Sequence, residues 1–257
     1  MASPLTSLVP GEVFLFLLLF ARIGTAMMLL PGFGETFVNP RMRLTISLAM
    51  CVLLFPILRG QFPPLPTSVA GTALLIGGEI GVGLFIGAIT RLLLSALELA
   101  GSVIAMQTGL SAAMAFNPVM AGQGSLPGVF LQITGVVLIF ISNTHHVMIQ
   151  ALIESYQMFV PGKLPPVDDF SMAVIMALSR SFYLAIQLAA PFLVVGLVFY
   201  VGLGLLARLM PQIQVFFIAV PLQLMIGFLL LAVTLAAMMT WYLDRFNDNV
   251  IALVAGQ

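Results

Sequence analysis

Between Glu98 and Glu154 the chain carries no Lys, Arg, Asp or Glu at all. No charged side chain interrupts that stretch, and a chain of this overall composition is expected to live against lipid or inside an apolar assembly. The rest of the chain shares this character. Apolar residues run together in blocks such as 13–20 and 228–239, whereas a strand spanning a membrane alternates apolar and polar residues with period two. The pattern predicts an all-α, multi-helix, membrane-associated protein. Only 7% of the residues are charged and 61% are apolar, which excludes a water-soluble enzyme with a separate catalytic domain. A bilayer core about 30 Å thick needs about 20 residues per helical crossing, so the chain accommodates about six spans with short connections.

Proline and glycine divide the chain into six runs. The first covers about 12–31 and closes at Pro31-Gly32-Phe33-Gly34; the second covers about 41–58 and closes at Pro56 and the Pro63-Pro64-Leu65-Pro66 cluster. With no Lys or Arg before it and no small-residue cleavage site, the first run is expected to be a retained span. The third, about 69–110, contains no proline and is too long for one straight crossing, so it is expected to bend, double back or project. A fourth run, about 126–156, ends at Pro161-Gly162. The fifth, about 170–209, is expected to kink at Pro191. The sixth, about 215–243, ends at Trp241-Tyr242, an aromatic pair expected at a membrane interface, with a polar tail at 244–249. Loop arginines and lysines give no orientation, since Arg59, Lys163 and Arg245 on one side balance Arg41, Arg43 and Arg208 on the other.

Charges inside apolar runs must face protein or water. They are Arg22, Glu79, Arg91, Glu98 and Arg180. Arg91 and Glu98 share a helix face and can pair with each other or serve neighbouring helices. Glu79 lies on another face and needs a different partner. Scattered in this way, these charges fit assembly contacts better than a proton relay. Gly77-x-x-x-Gly81 and Gly83-x-x-x-Gly87 permit close helix approach, with a hinge as the alternative reading.

No nucleotide loop, serine-nucleophile elbow or zinc-binding His-Glu-x-x-His sequence occurs. Adjacent His145 and His146 have no companion ligands, and Cys51 in its apolar run is expected to pack as a small hydrophobe. The chain is read as neither an enzyme nor a cofactor or metal protein. Nine basic residues balance nine acidic ones without any basic tract, so nucleic acid is not an expected partner.

Inside the uncharged stretch lies a section rich in Met, Gly, Pro and small polar residues, from Met106, Gln107 and Gly109 through Met114, Phe116, Asn117 and Pro118 to Gly128. Non-helical backbone at membrane depth survives only where protein or a water-filled cavity satisfies it, and Met adapts to many surfaces. The section suits a deformable constriction; a solvent-exposed connection is the other reading.

Several strings together resemble the FliR-type subunits of the flagellar export gate and of virulence-associated type III secretion. The strongest is GLGLLARLMPQIQVF at 202–216, which contains Arg208, Pro211 and Gln212. Pro31-Gly32-Phe33-Gly34 with Pro40-Arg41-Met42-Arg43, Gly78-Glu79-Ile80-Gly81, Gly101 with Gln107 and Gly109, Asn117-Pro118, and Asn143 with His145 add to it. The resemblance implies an inner-membrane subunit at the flagellar basal body or the base of a secretion system. It would join FliP and FliQ in a helical gate through which unfolded proteins pass, with FlhB and the wider apparatus as further partners. Residues 1–160 would be FliP-like and 161–257 FliQ-like, and the loop near 107–124 would act as a plug. The long third and fifth runs would then be helical hairpins. A small polytopic secondary transporter is the competing reading, suggested by broken helices and by Glu79, Arg91, Glu98 and Arg180.

Overall fold

A computed structural model of the chain describes residues 4–111, 124–162, 167–210 and 215–255. Helices follow in the order α1 (Pro4–Leu29), α2 (Pro40–Leu58) with a 3-10 turn at Arg59–Gln61, α3 (Val69–Gln107), α4 (Leu126–Ile141), α5 (Thr144–Met158), α6 (Val167–Leu209) and α7 (Val215–Ala255). No strand occurs among the described residues, and the protein is all-α. Gly11–Leu29, Pro40–Gln61, Val69–Gln107, Phe170–Leu209 and Ala219–Ala252 are each long and apolar enough to cross a membrane. The bent pair α4 and α5 brings the number to six if it counts as one broken span.

Local chemistry sets several of the boundaries. Gly34 N donates to the Leu30 carbonyl at 2.8 Å, and Gly32 adopts φ +82°, so the Pro31–Gly34 turn ends α1 in a conformation that needs glycine. Asn39 Oδ1 accepts from Arg41 N at 3.0 Å and starts α2, with Pro40 in its first turn where no N–H is missed.

The chain divides into two compact units interleaved in sequence, one of residues 1–92, 139–178 and 247–257 and one of residues 93–138 and 179–246. In the first, Leu18, Leu19, Ile23, Ala26 and Met27 of α1 are fully buried. A side chain at Gly83 would collide with Thr25 and the Arg22 carbonyl, and one at Gly87 with Leu29. These two glycines let the backbones of α1 and α3 touch, and dispersion contacts follow from that approach. Gly77, Gly78 and Gly81 have nothing near them. Phe85 stacks on Phe170 at 4.0 Å, and Phe159 meets Phe170 edge-on at 5.1 Å. Cys51 is buried, as expected of a small hydrophobe.

In the second unit, Gly101 of α3 lies against the backbone of Gly128 in α4, and Gly135 lies against Leu97. Tyr242 donates to the Leu93 carbonyl at 3.3 Å and is fully buried. Tyr242 is therefore not an exposed interface anchor, because it spends its hydroxyl on an internal carbonyl, whereas Trp241 beside it is half-buried.

Other expectations change in the same way. Neither long run folds back on itself: α3 is one helix of 39 residues and α6 one of 43. Pro191, where the fifth run is expected to kink, lies inside α6. In an apolar setting an unbroken helical ladder satisfies the backbone, whereas a turn at membrane depth would leave its polar groups without partners. The hairpin instead joins the fifth and sixth runs, where Tyr200 of α6 faces Gln223 of α7. The fourth run, read as continuous, breaks at Asn143, which takes φ 61° and turns α5 by 77° from α4. Asparagine tolerates this left-handed region better than most residues. The polar stretch 244–249 does not leave the helix; α7 continues through it to Ala255.

These contacts predict opposite outcomes for two glycines of one helix. Gly83→Val should destabilise the detergent-solubilised protein by about 1–3 kcal/mol, the usual cost of overpacking. Gly77→Ala should be neutral or stabilising by about 0.5–1 kcal/mol, through helix propensity. Thermal unfolding of the two variants side by side checks this, and equal losses would contradict the assigned packing.

Candidate functional site

Arg22, on the buried face of α1, is 1% exposed. Its Nε donates to Glu79 Oε2 at 2.7 Å, its Nη1 to the Ser155 carbonyl at 3.1 Å and to Ser155 Oγ at 3.3 Å, and its Nη2 to the Phe159 carbonyl at 2.8 Å. The guanidinium carbon lies 4.0 Å from the centroid of the Tyr156 ring. All three nitrogens thus have acceptors, two of them carbonyls at the C-terminal end of α5: that of Ser155, which also accepts the Phe159 N–H at 2.8 Å, and that of Phe159 beyond the last turn. A buried charge is tolerable only when paired and hydrogen-bonded like this. The result is a polar hub joining α1, α3 and α5 within the first unit.

A second ion pair lies nearer the surface. Arg91 Nη1 meets Glu35 Oε1 at 2.7 Å, while Arg43 Nη2 donates to the carbonyls of Glu35 at 2.9 Å and Val38 at 3.2 Å. The connection from α1 to α2 is therefore tied to α3 by charge-assisted bonds.

The second unit holds the two ends of the uncharged loop. At the first end, α3 stops at Gln107, and Gly109 takes φ +75° just beyond it, a left-handed cap. Gln223 of α7 donates its Nε2 to the Gln107 carbonyl at 2.6 Å and to the Tyr200 hydroxyl at 3.1 Å. Gly227 and Gly196 let α7 and α6 close on Thr108 and on the Gln107 side chain. At the other end, Gly124 has φ +78°. Ser125 then caps α4, its Oγ accepting from Gly128 N at 3.1 Å.

The expected site residues fall into three groups. Glu79 and Arg91 are engaged inside the chain, with Arg22 and Glu35 rather than with each other or with Glu98. Glu98 is exposed, its carboxylate beside Gly124 and its backbone beside Gly128. Arg180 and Arg208 are exposed on α6, Arg208 in its last turn. Met106 is exposed, and Gln107 and Gly109 form the loop's first anchor. Met114, Phe116, Asn117, Pro118, Pro211 and Gln212 lie outside the described residues. The rings of His145 and His146 lie with centroids 4.1 Å apart and planes tilted by 36°, and among the described residues no cluster of three metal-ligating side chains forms.

Charge-based reading missed Glu35, Ser155, Tyr200 and Gln223. Gln223 had a visible signal, because it is the one carboxamide in the apolar run 215–239, and such a residue seeks an interhelical bond.

With this geometry in view, comparison with known proteins is decisive. Residues 13–249 match the family described as bacterial export proteins, family 1. The chain belongs to this family. The flagellar biosynthetic protein FliR of Caulobacter vibrioides is 36% identical over 92% of this chain and 94% of its own length. FliR of Bacillus subtilis is 30% identical over 93% of this chain and 95% of its own length. Yop proteins translocation protein T of Yersinia pestis is 28% identical over 92% of this chain and 91% of its own length. The chain is thus a helical membrane protein of the flagellar and type III export family. Two of the charges that suggested a transporter, Glu79 and Arg91, are neutralised in ion pairs of this export protein.

The hub predicts strong coupling between its members. Arg22→Met leaves the Glu79 carboxylate buried and alone and should cost about 3–5 kcal/mol. In Arg22→Met with Glu79→Met the lone charge is gone, so the double variant should be more stable than Arg22→Met alone. Steady-state abundance and thermal unfolding of the single and double variants measure this; strict additivity of the two losses would show that no pair is formed.

Proposed function

We propose that the chain is the FliR-type subunit of an export gate in the bacterial inner membrane, forming with FliP and FliQ the channel through which unfolded substrate proteins cross. In this reading residues 1–160 are the FliP-like portion and 161–257 the FliQ-like portion, to which the α6 and α7 hairpin corresponds. FlhB and the rest of the apparatus are its further partners, and they supply the energy. The chain itself acts as a conduit and closure rather than as an enzyme.

One observation carries the reading. The sequence between α3 and α4 carries no charge, and the described residues beside it adopt left-handed turns at Gly109 and Gly124, while Gly101 and Gly128 meet in a close backbone contact. A closure for a channel that passes polypeptides of every sequence has to be uncharged and deformable while its anchors stay fixed. Residues 107–124 meet both needs. The Met and Phe side chains at 106, 114 and 116 would fill the constriction against partner side chains.

Deleting residues 111–115 removes filling material and leaves α3 and α4 in place. Cells that overproduce the gate with this deletion should leak small ions and dyes and grow slowly, while secretion continues at least in part. Lower secretion without any rise in permeability would make the loop an assembly contact instead. Exposed Glu98, Arg180 and Arg208, with Pro211 and Gln212 beyond α6, are proposed as assembly contacts together with the ion-paired Glu79 and Arg91. Arg208→Glu combined with Pro211→Ala should reduce the yield of complex recovered with FliP, as read by co-purification, before it alters permeability. A full yield of complex with changed conductance would move these residues from assembly to the channel.

A further inference from the structure

We propose that the outward face of α2 is a lipid-binding surface, with acyl chains of the bilayer along it and headgroup phosphates of the two leaflets on Arg41 and Arg59. Of the five spans able to cross a membrane, Val69–Gln107, Phe170–Leu209 and Ala219–Ala252 have 39, 40 and 34 residues. As helices they measure about 50–60 Å, well beyond a hydrocarbon core of about 30 Å. Gly11–Leu29 has a suitable length at 19 residues, but 44% of its apolar stretch is buried inside the protein. Pro40–Gln61 has 22 residues and is only 22% buried. It alone combines the length of one crossing with a largely uncovered surface.

Burial on α2 follows one stripe. Ser47, Cys51 and Leu58 are buried, and Phe55 meets Phe16 of α1 edge-on at 5.9 Å. Away from that stripe Leu44, Leu48, Val52, Leu53 and Ile57 are 38–71% exposed. Thr45, the exposed hydroxyl among them, donates to the Arg41 carbonyl at 2.8 Å, so the outward face offers no free side-chain donor or acceptor. An exposed arginine closes it at each end. Arg59 follows α2 in helical conformation and lies 18 positions after Arg41. That is five turns, so the two project from the same side of the helix about 27 Å apart. Arg43, the other charge in α2, spends its guanidinium on the carbonyls of Glu35 and Val38. Neither Arg41 nor Arg59 has a side-chain partner among the described residues.

This spacing selects lipid as the occupant. Arginine stems lie along apolar surface and carry their heads to the polar layer, so two guanidiniums about 27 Å apart reach phosphates on both sides of a core about 30 Å thick. A bilayer presents those phosphates everywhere in its plane, whereas a protein partner would need carboxylates at the same separation across an uncharged face. The arginines also set depth, because sliding α2 along the membrane normal draws one of them into hydrocarbon. The inference rests on the helical membrane character of the chain and not on the plug reading.

The test uses the full chain, co-expressed with the proposed partner subunits and reconstituted into phosphatidylcholine–phosphatidylglycerol bilayers. Leu44→Cys, Leu48→Cys, Val52→Cys and Ile57→Cys, each in a Cys51→Ala background, carry a small fluorophore. Lipids with a nitroxide near the headgroup or near the chain end then quench it. The chain-end nitroxide should quench most at positions 48 and 52, and the headgroup nitroxide most at 44 and 57. Arg59→Leu should shift the deepest position by about one turn toward 57, and Arg41→Leu by as much toward 44. Absence of quenching by either lipid at all four positions would mean that protein covers the face, and would overturn the proposal. A depth that rises steadily from one end to the other would place α2 in a single leaflet and overturn it equally. A centred profile that neither arginine variant moves would overturn the phosphate contacts. Should one arginine variant give no complex, the other decides, because the two shifts have opposite signs.

Discussion

A guanidinium buried to 1% exposure is the constraint around which the first unit is arranged. Arg22 in that position would be ruinous unless every nitrogen met an acceptor, and the acceptors come from places far apart in sequence: Glu79, Ser155 and Phe159. Each must be brought in at the right depth, so α1, α3 and α5 have little freedom to slide past one another. Leucines would tolerate a shift of one turn along an apolar interface, whereas a carboxylate and two carbonyls would not. An apolar substitute of the same volume can match the hub in stability. What it lacks is the means to choose one register among several apolar ones, and among helices this uniformly apolar that choice has to come from somewhere.

Glycine supplies the second device, and it is used in two ways. Gly83 and Gly87 are spent inside the first unit on contact with α1, and Gly101 and Gly128 inside the second on the contact of α3 with α4. Gly32, Gly109, Gly124 and Gly162 serve instead as left-handed corners at the ends of helices. Gly109 and Gly124 flank the uncharged loop. Most side chains would strain in those two turns, which fixes where α3 ends and how the chain approaches α4.

Much of the fold was legible because backbone punctuation is local. The starts of α2 and α3 at Pro40 and Val69 and the turn at Pro31–Gly34 follow from residues that restrict φ or remove a donor. Asn143 breaks a helix without being glycine or proline, so its effect stays hidden until its φ is known. Asp244 and Arg245 looked like a tail because polarity ends a span; it does not end a helix, and α7 runs on past both. Glu79 visibly needed a partner, but nothing near it in sequence reveals that Arg22 is the one, because pairing depends on which faces of α1 and α3 meet. The loop anchors were half legible: Gln107 and Gly109 stood out, while Gln223 was passed over in favour of charged residues.

The two units are held by different kinds of bond. Formal charges hold the first unit together through Arg22–Glu79 and Arg91–Glu35. The first anchor of the loop is held by a neutral amide on a neutral carbonyl, with a phenol as its other partner. Breaking an ion pair in an apolar setting strands two charges, whereas parting an amide from a carbonyl costs no more than a hydrogen bond that one water can replace. On the proposed reading, an export gate needs its closure to be firm when empty, easy to release, and indifferent to the sequence that pushes through. A neutral hydrogen bond suits the second and third of those demands better than a salt bridge does.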